Sequence, residues 1–150
     1  MSQDTNSRRL TVRQRSRARR LTMQALYQWQ LNTTTARELI RQHAGSREYK
    51  DADSAYFKEL LTLAISEAEQ NQALIQDCAD RPGEQIDPLE MAIMMVAVTE
   101  LRHRFDVPYK VIINEAVELA RRFGATDGHK YVNAVADKAA KTLRAAEITG

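Results

Sequence analysis

Apolar residues recur at helical spacing along almost the whole chain. In the first clear case, between Arg13 and Leu31, they are three and four positions apart, which defines one face of an amphipathic helix. No run alternates apolar and polar residues as a half-buried strand would. Only 5 Gly and 3 Pro interrupt the 150 residues. The pattern therefore predicts an all-α fold, and the stripe of the first helix comprises Ala18, Leu21, Ala25 and Trp29.

The middle of the chain predicts two or three further helices. A short helix is expected within residues 32 to 50, and a longer apolar pattern runs from Ser54 to Cys78. The segment "DRPGEQ" then breaks the chain. In the following "DPLE", Asp87 can cap a new helix and Pro88 takes its first position.

The last third predicts one central helix and two amphipathic ones. Residues 89 to 101 are apolar on almost every side, which is typical of a helix buried in the core. A further helix should open near "DVP" at 106 to 108 and end at Gly124 as a left-handed terminator. The last should begin near Asp127, a possible N-cap, and run to Leu143. The total is six to seven helices.

Charge is distributed very unevenly along the chain. Residues 1 to 37 hold eight Arg and one Asp, whereas the rest holds 14 basic and 19 acidic groups. A basic end on an acidic body indicates a protein that contacts a polyanion with one surface, although basic ends also serve as solubilising tails. The longest apolar run, residues 91 to 98, is far shorter than the roughly 20 residues that span a bilayer. No membrane segment is expected.

Candidate catalytic and metal-binding motifs fail on spacing, so we expect neither an enzyme nor a cofactor. The three histidines are scattered, and the single Cys78 has no partner, which also favours a reducing compartment such as the cytoplasm. The calcium-like "DADSAYFKE" lacks the required Gly and Glu. The phosphate-loop-like "GATDGHK" has three residues between its glycines instead of four. Binding is therefore the favoured class of function.

The arginines of residues 8 to 20 continue into the first amphipathic helix. At about 100° per residue, Arg13, Arg17, Arg20, Gln24 and Tyr27 fall on one face, away from the apolar stripe. The planar guanidinium grips phosphate with two hydrogen bonds, and a tyrosine on the same face can stack on an unpaired base, contact a protein, or simply cap the core. The arginine-rich segment also resembles an organellar transit peptide, but this interpretation is less favoured, because the helix runs unbroken into core positions.

Two long stretches of the chain carry a family resemblance. They are "RQRSRARRLTMQALYQWQL" at 13 to 31 and "ELRHRFDVPYKVIINEAVELARRFGATDGHKYVNAVADKAA" at 100 to 140. The first is similar to the arginine-rich opening helix, and the second to the C-terminal signature, of the NusB transcription antitermination family. "YFKELL" and "LEMAIMMVAVTEL" resemble the intervening helices more loosely. The likeness covers about residues 13 to 140.

The resemblance implies an all-α fold of two packed helical bundles. On this basis residues 13 to 150 form one RNA-binding domain with lobes at about 13 to 80 and 87 to 145. Residues 1 to 12, which the likeness does not cover, are expected to be a flexible basic extension.

The resemblance also implies a function and its site. The family binds boxA-type single-stranded RNA of ribosomal RNA leaders together with the ribosomal protein acting as NusE, and joins elongating RNA polymerase with other Nus factors. Tyr27 and Glu90 would contact the partner. An acidic segment from Asp77 to Glu90 would suit a basic ribosomal protein, or is a solvated loop. The implied RNA-binding residues are Arg13, Arg15, Arg17, Arg19, Arg20, Asp127, Lys130 and Tyr131.

Two other functions remain open from the sequence. One is an RNA-docking module like the N-terminal domain of ribosomal RNA methyltransferases, which needs an appended α/β domain with a glycine-rich cofactor loop that these 150 residues do not contain. The other is a helical scaffold that binds no RNA. Charge reversal at Arg13, Arg17 and Arg20 separates a scaffold from an RNA-binding protein.

Overall fold

The computed structural model describes residues 3–79 and 85–150, and within these ranges the chain forms nine helices and no strand. The predicted all-α class is confirmed. The helices are α1 (Gln3–Leu31), α2 (Ala36–Ala44), α3 (Arg47–Lys50), α4 (Ser54–Ser66), α5 (Ala68–Ala79), α6 (Pro88–His103), α7 (Tyr109–Phe123), α8 (Gly128–Leu143) and α9 (Ala145–Thr149).

The prediction of six to seven helices was too low for two reasons. The continuous apolar pattern from Ser54 to Cys78 is divided at Glu67, whose φ of −111° and ψ of 20° end α4. The break changes the chain direction, so that α4 packs against α1, α2 and α6 while α5 packs against α6 and α8. In addition, α3 and α9 have only four and five residues, which is too short to leave a helical period in the sequence.

Helix α6 lies at the centre of the fold, as its apolar sequence predicted. All residues from Glu90 to Leu101 are buried. The predicted cap is also confirmed, because Asp87 Oδ2 accepts hydrogen bonds from the backbone N–H groups of Leu89 and Glu90, both at 3.1 Å. Helices α1, α4, α5, α7 and α8 surround α6. The buried apolar side chains form one continuous core.

The predicted boundary between two lobes is described only in part. Residues 80 to 84, which hold most of "DRPGEQ" and two of the five acids of the segment from Asp77 to Glu90, lie outside the described residues. Helix α5, which the sequence assigned to the first lobe, packs against α6 and α8 of the second. The division into two lobes therefore stays a prediction.

Helix α1 begins ten residues before the predicted start at Arg13. Residues 3 to 12 had been expected to form a flexible extension, but in the structure they continue α1 as regular helix. Residues 6 to 13 are all exposed, and the first fully buried side chain of α1 is Ala18. We call residues 3 to 12 the amino-terminal arm. At 1.5 Å per residue the arm is roughly 15 Å long.

The corner between α7 and α8 differs from the prediction. Helix α7 does end before Gly124, but this glycine has a φ of −87° and is not left-handed. It is required for a different reason, since a Cβ there would lie 2.7 Å from the carbonyl oxygen of Ala120. The left-handed residue is Asp127, with a φ of 66°. Within the described ranges, no helix has the length and apolarity to cross a membrane.

Candidate nucleic-acid interface

Helix α1 buries one face against α4 and α6 and leaves the opposite face in solvent. Arg13 and Arg17 are exposed and Arg20 is half-buried on this outer face, as the helical spacing predicted. No carboxylate of the described residues lies within 4 Å of these three guanidinium groups. We call Arg13, Arg17 and Arg20 the arginine row. Arg17 donates to the backbone carbonyl oxygen of Asp51 at 3.1 Å, but no carboxylate of the described residues neutralises the row, so it can receive an anion.

Two further arginines extend the arginine row sideways, and no sequence pattern singled them out. Arg47 of α3 lines one groove with Arg17 and Arg20, together with Glu48 and Asp51. Arg122 of α7 lines a second groove with the same two arginines. The carboxylates near the second groove are already engaged, since Glu115 accepts from Ser16 and Glu118 from Arg121. The result is a basic surface built from three separate helices.

The ring of Phe123, at the end of α7, holds two of these arginines in place. The guanidinium carbon of Arg20 lies 4.9 Å from the ring centroid, and that of Arg122 lies 5.2 Å from it. Cation–π contacts of this kind fix a guanidinium without neutralising its charge. Both charges therefore stay available to a ligand while their side chains are ordered.

Arg15 and Arg19 do not lie on the arginine row. Arg15 is half-buried over the ring of Tyr56, with its guanidinium carbon 4.7 Å from the centroid, and its nitrogens lie 3.5 Å from Asp106 and 4.0 Å from Asp53. The positive charge of Arg15 is thus partly compensated by these two carboxylates. The resemblance placed Arg15 with the RNA-binding arginines, but the structure turns it toward α4 and the loop after α6.

Arg19 is buried in the core, with only 4% of its surface exposed. It donates to both carboxylate oxygens of Glu100, at 2.7 and 2.9 Å, and to Glu115 at 3.0 Å. Burial lowers the pKa of this guanidinium, but the hydrogen bond and charge of Glu100 outweigh that effect and the net pKa is raised. A cation committed in this way cannot reach RNA. We therefore correct the prediction for Arg19 and assign it a structural role.

A sequence signal for Arg19 does exist. Thr22, Met23 and Leu26 are buried, and they widen the inward face of α1 beyond the four apolar residues that defined the stripe. Arg19 precedes them by three, four and seven positions, which places it on the same face. A wider apolar arc would have assigned Arg19 to the core.

Tyr56 completes the buried ion network. Its hydroxyl donates to the second carboxylate oxygen of Glu100, and both burial and the Glu100 charge raise the pKa of Tyr56. The hydroxyl therefore stays protonated throughout the neutral range and keeps donating.

Replacing Tyr56 with phenylalanine removes this donor from a buried carboxylate while keeping the ring. We expect the free energy of unfolding to fall by about 1.5–3 kcal/mol, the usual contribution of a hydrogen bond to a charged group. Urea denaturation followed by circular dichroism measures the change. Tyr27→Phe is the matched control, because the Tyr27 ring is 39% exposed, and it should change stability by less than about 0.5 kcal/mol. Equal losses in the two variants would contradict the network.

The second predicted patch lies at the start of α8. Asp127 was expected to cap this helix, but it is left-handed and its side chain makes no capping hydrogen bond. Its carboxylate lies instead 3.5 Å from the amino group of Lys130, in an exposed pair. Tyr131 is half-buried with its hydroxyl oxygen enclosed, so only part of its ring faces solvent.

Glu90 and Tyr27 connect the two patches. The Glu90 carboxylate is packed so closely against the start of α8 that a Cβ on Gly128 would lie 2.6 Å from its Oε2. Tyr27 is exposed on α1, one turn before Gln30, whose amide donates to the carbonyl oxygen of Pro88 at 2.8 Å. The end of α1, the start of α6 and the start of α8 therefore meet. The predicted patch at the start of α8 therefore lies near the carboxyl-terminal end of α1, the helix that also carries the arginine row.

The fold and this surface define an all-helical protein whose first helix carries an exposed arginine row leading to the starts of two core helices. Comparison with known proteins identifies the group. The chain belongs to the NusB family, whose family model matches residues 16–141.

Individual relatives agree with this assignment. The chain is 46% identical over 136 residues to a transcription antitermination protein NusB of Marinomonas sp. (strain MWYL1), covering 89% of this chain and 78% of the relative. It is 43% identical over 134 residues to that of Pseudomonas entomophila, covering 89% and 81%. The structure of T. maritima NusB superposes with a TM-score of 0.57 at 26% identity, covering 84% and 89%. Membership places the chain among the transcription antitermination proteins.

Proposed function

We propose that this chain binds boxA-type single-stranded RNA of ribosomal RNA leaders together with the ribosomal protein acting as NusE. In this role it joins the elongating RNA polymerase with other Nus factors in the bacterial cytoplasm, as a binding protein without catalytic activity. The observation that carries the proposal is the arginine row: three guanidinium groups on one helix face, none of them paired with a carboxylate of residues 3–79 or 85–150.

The arginine row supplies phosphate contacts, which position an RNA strand without reading its sequence. Arg47 and Arg122 flank the row and lengthen the basic surface across the strand. Arg15 and Arg19 are not proposed as RNA contacts, because carboxylates of the protein already compensate their charges. The guanidinium fork fits phosphate oxygens with two parallel hydrogen bonds.

Sequence selection requires contacts with bases, and these are proposed at the far end of the same surface. Tyr131 and Lys130 offer a partly exposed ring beside a mobile cation, the combination that single strands need for stacking and charge neutralisation. Asp127 offers carboxylate acceptors that can take hydrogen bonds from base amino groups. Tyr27, which is 39% exposed, forms the proposed contact with the NusE partner, whereas Glu90 is only 9% exposed and is no longer assigned a direct contact.

Binding to a boxA RNA of minimal length, compared with a scrambled RNA, tests this proposal across a salt series. The arginine row and Lys130 engage about four phosphates, which predicts a slope of log affinity against log salt near −3 at about −0.7 per phosphate of a single strand. We expect selectivity for boxA and tighter binding when the NusE partner is present. Equal affinity for both RNAs, unchanged by the partner, would reduce the arginine row to a general polyanion site and refute the proposal.

A further inference from the structure

The amino-terminal arm is the part of the molecule whose role the NusB assignment leaves open. The family match begins at residue 16, so the arm precedes it entirely. In the structure the arm is neither packed nor irregular: it continues α1 as helix, yet residues 6 to 12 are exposed all around. A helical segment that buries nothing gains little from the fold. The exposed side chains of the arm are therefore accessible to a ligand outside the chain.

The arm carries two arginines that continue the arginine row. Arg9, Arg13 and Arg17 follow one another at intervals of four, so that they lie on one side of α1, and Arg8 lies next to Arg9. Both arm arginines are exposed, and no carboxylate of the described residues lies within 4 Å of either. Like charges four positions apart repel on a free helix. The repulsion among Arg9, Arg13 and Arg17 is therefore strongest when no anion is bound to them.

We propose that Arg8 and Arg9 bind phosphates of the RNA nucleotides that flank the boxA segment, and so lengthen the RNA footprint of this protein. This inference rests on the proposed function. The arm points away from the body along the axis of α1, so its contacts must fall beyond those of Arg13, Arg17 and Arg20. The described part of the arm has no aromatic side chain on which a base could stack.

This composition decides what kind of contact the arm makes. Arginines without a stacking platform neutralise phosphates and leave the bases unread. The arm should therefore strengthen binding equally for any flanking sequence. It should act only when the RNA is long enough to reach it. Both consequences distinguish it from the patch at the start of α8.

The test compares the wild-type protein with the Arg8→Gln/Arg9→Gln variant on two RNAs, in a salt series. One RNA is the minimal boxA strand, and the other carries unstructured uridine flanks on both sides. Glutamine has nearly the same helix propensity as arginine, so the arm stays helical. Arg37→Gln/Lys58→Gln is the matched control, since both residues are exposed cations on α2 and α4.

On the flanked RNA we expect the variant to lose about 0.7–1.4 from the magnitude of the salt slope, which corresponds to one or two phosphates. On the minimal RNA the variant and the wild type should bind alike, and the ratio of boxA to scrambled affinity should not change. An unaltered slope on the flanked RNA overturns the inference. So does an equal loss on the minimal RNA, or a loss seen only in binding to the NusE partner. The boxA selectivity of the wild type reports separately on the proposed function.

Discussion

Replacing Arg144 with alanine is expected to lower the free energy of unfolding by about 3–5 kcal/mol, the range for removing one member of a buried charged network. Arg144 is the first residue after α8, and only 2% of its surface is exposed. Its guanidinium donates to four backbone carbonyl oxygens: Glu100 at 3.2 Å, Leu101 at 2.7 Å, Arg104 at 2.8 Å and Val107 at 3.0 Å.

The position of these carbonyls explains the size of the effect. The last four carbonyl groups of a helix have no partner within that helix. Leu101 and Val107 are buried, and their carbonyl groups accept from no backbone N–H of the described residues, so Arg144 is their donor. Arg144 also donates to the carbonyls of Glu100 and Arg104, which have backbone donors as well, and it pairs with Glu147. Alanine would leave the carbonyls of Leu101 and Val107 without this donor, each at a cost of about 1–3 kcal/mol.

Urea denaturation of the Arg144→Ala and Arg121→Ala variants checks this expectation. Arg121 is the matched control, because it is an exposed arginine that forms an ion pair with Glu118 on the same helix. Such a surface pair contributes about 0–1 kcal/mol. Arg144→Lys should recover little of the loss, since one ammonium group cannot reach all four carbonyls. Full recovery by lysine, or equal losses at positions 121 and 144, would contradict the capping role.

Arg144 and Arg19 show where prediction from the sequence ends. Arginine is almost never fully buried unless it is paired. From the sequence, Arg19 was therefore predicted to be a surface residue that binds RNA, and Arg144 was assigned no role. Their partners are remote: Glu100 is 81 residues from Arg19, and Leu101 is 43 residues from Arg144. No local pattern encodes such a pairing. It exists only once α1, α6 and α8 are packed together.

Features fixed by neighbouring residues were predictable. The cap at Asp87 and the burial of α6 follow from a few consecutive side chains, and the outer face of α1 follows from helical spacing alone. Local patterns also predicted the corner between α7 and α8, but they assigned the left-handed conformation to Gly124, whereas Asp127 adopts it. There the tight approach of Gly124 to Ala120 decides the backbone path, and that approach depends on how α7 ends. Arg47 and Arg122 were missed because only packing brings them beside α1.

Charge reversal of the arginine row, Arg13, Arg17 and Arg20 to glutamate, is expected to weaken binding of boxA RNA at least a hundredfold. Each substitution removes a charge-assisted hydrogen bond, which contributes about 1.5–3 kcal/mol, and puts a negative charge near the strand. The fold should survive, because Arg13 and Arg17 are exposed and none of the three has a carboxylate partner in the part of the chain that the structure describes. Filter binding or fluorescence anisotropy at fixed salt measures the loss.

A second triple variant, Arg37, Lys58 and Lys138 to glutamate, changes the net charge by the same amount on exposed positions of α2, α4 and α8 that do not line the two grooves beside the arginine row. Its RNA affinity should stay within about threefold of the wild type, because at physiological salt charges beyond roughly 8 Å are screened. Similar losses in both triples would mean that net charge, and not the arginine row, governs binding. The affinity of the charge-reversed variant for the NusE partner is measured separately, without RNA. An RNA-binding factor loses RNA and keeps the partner when the row is reversed, whereas a pure scaffold shows no RNA affinity to lose.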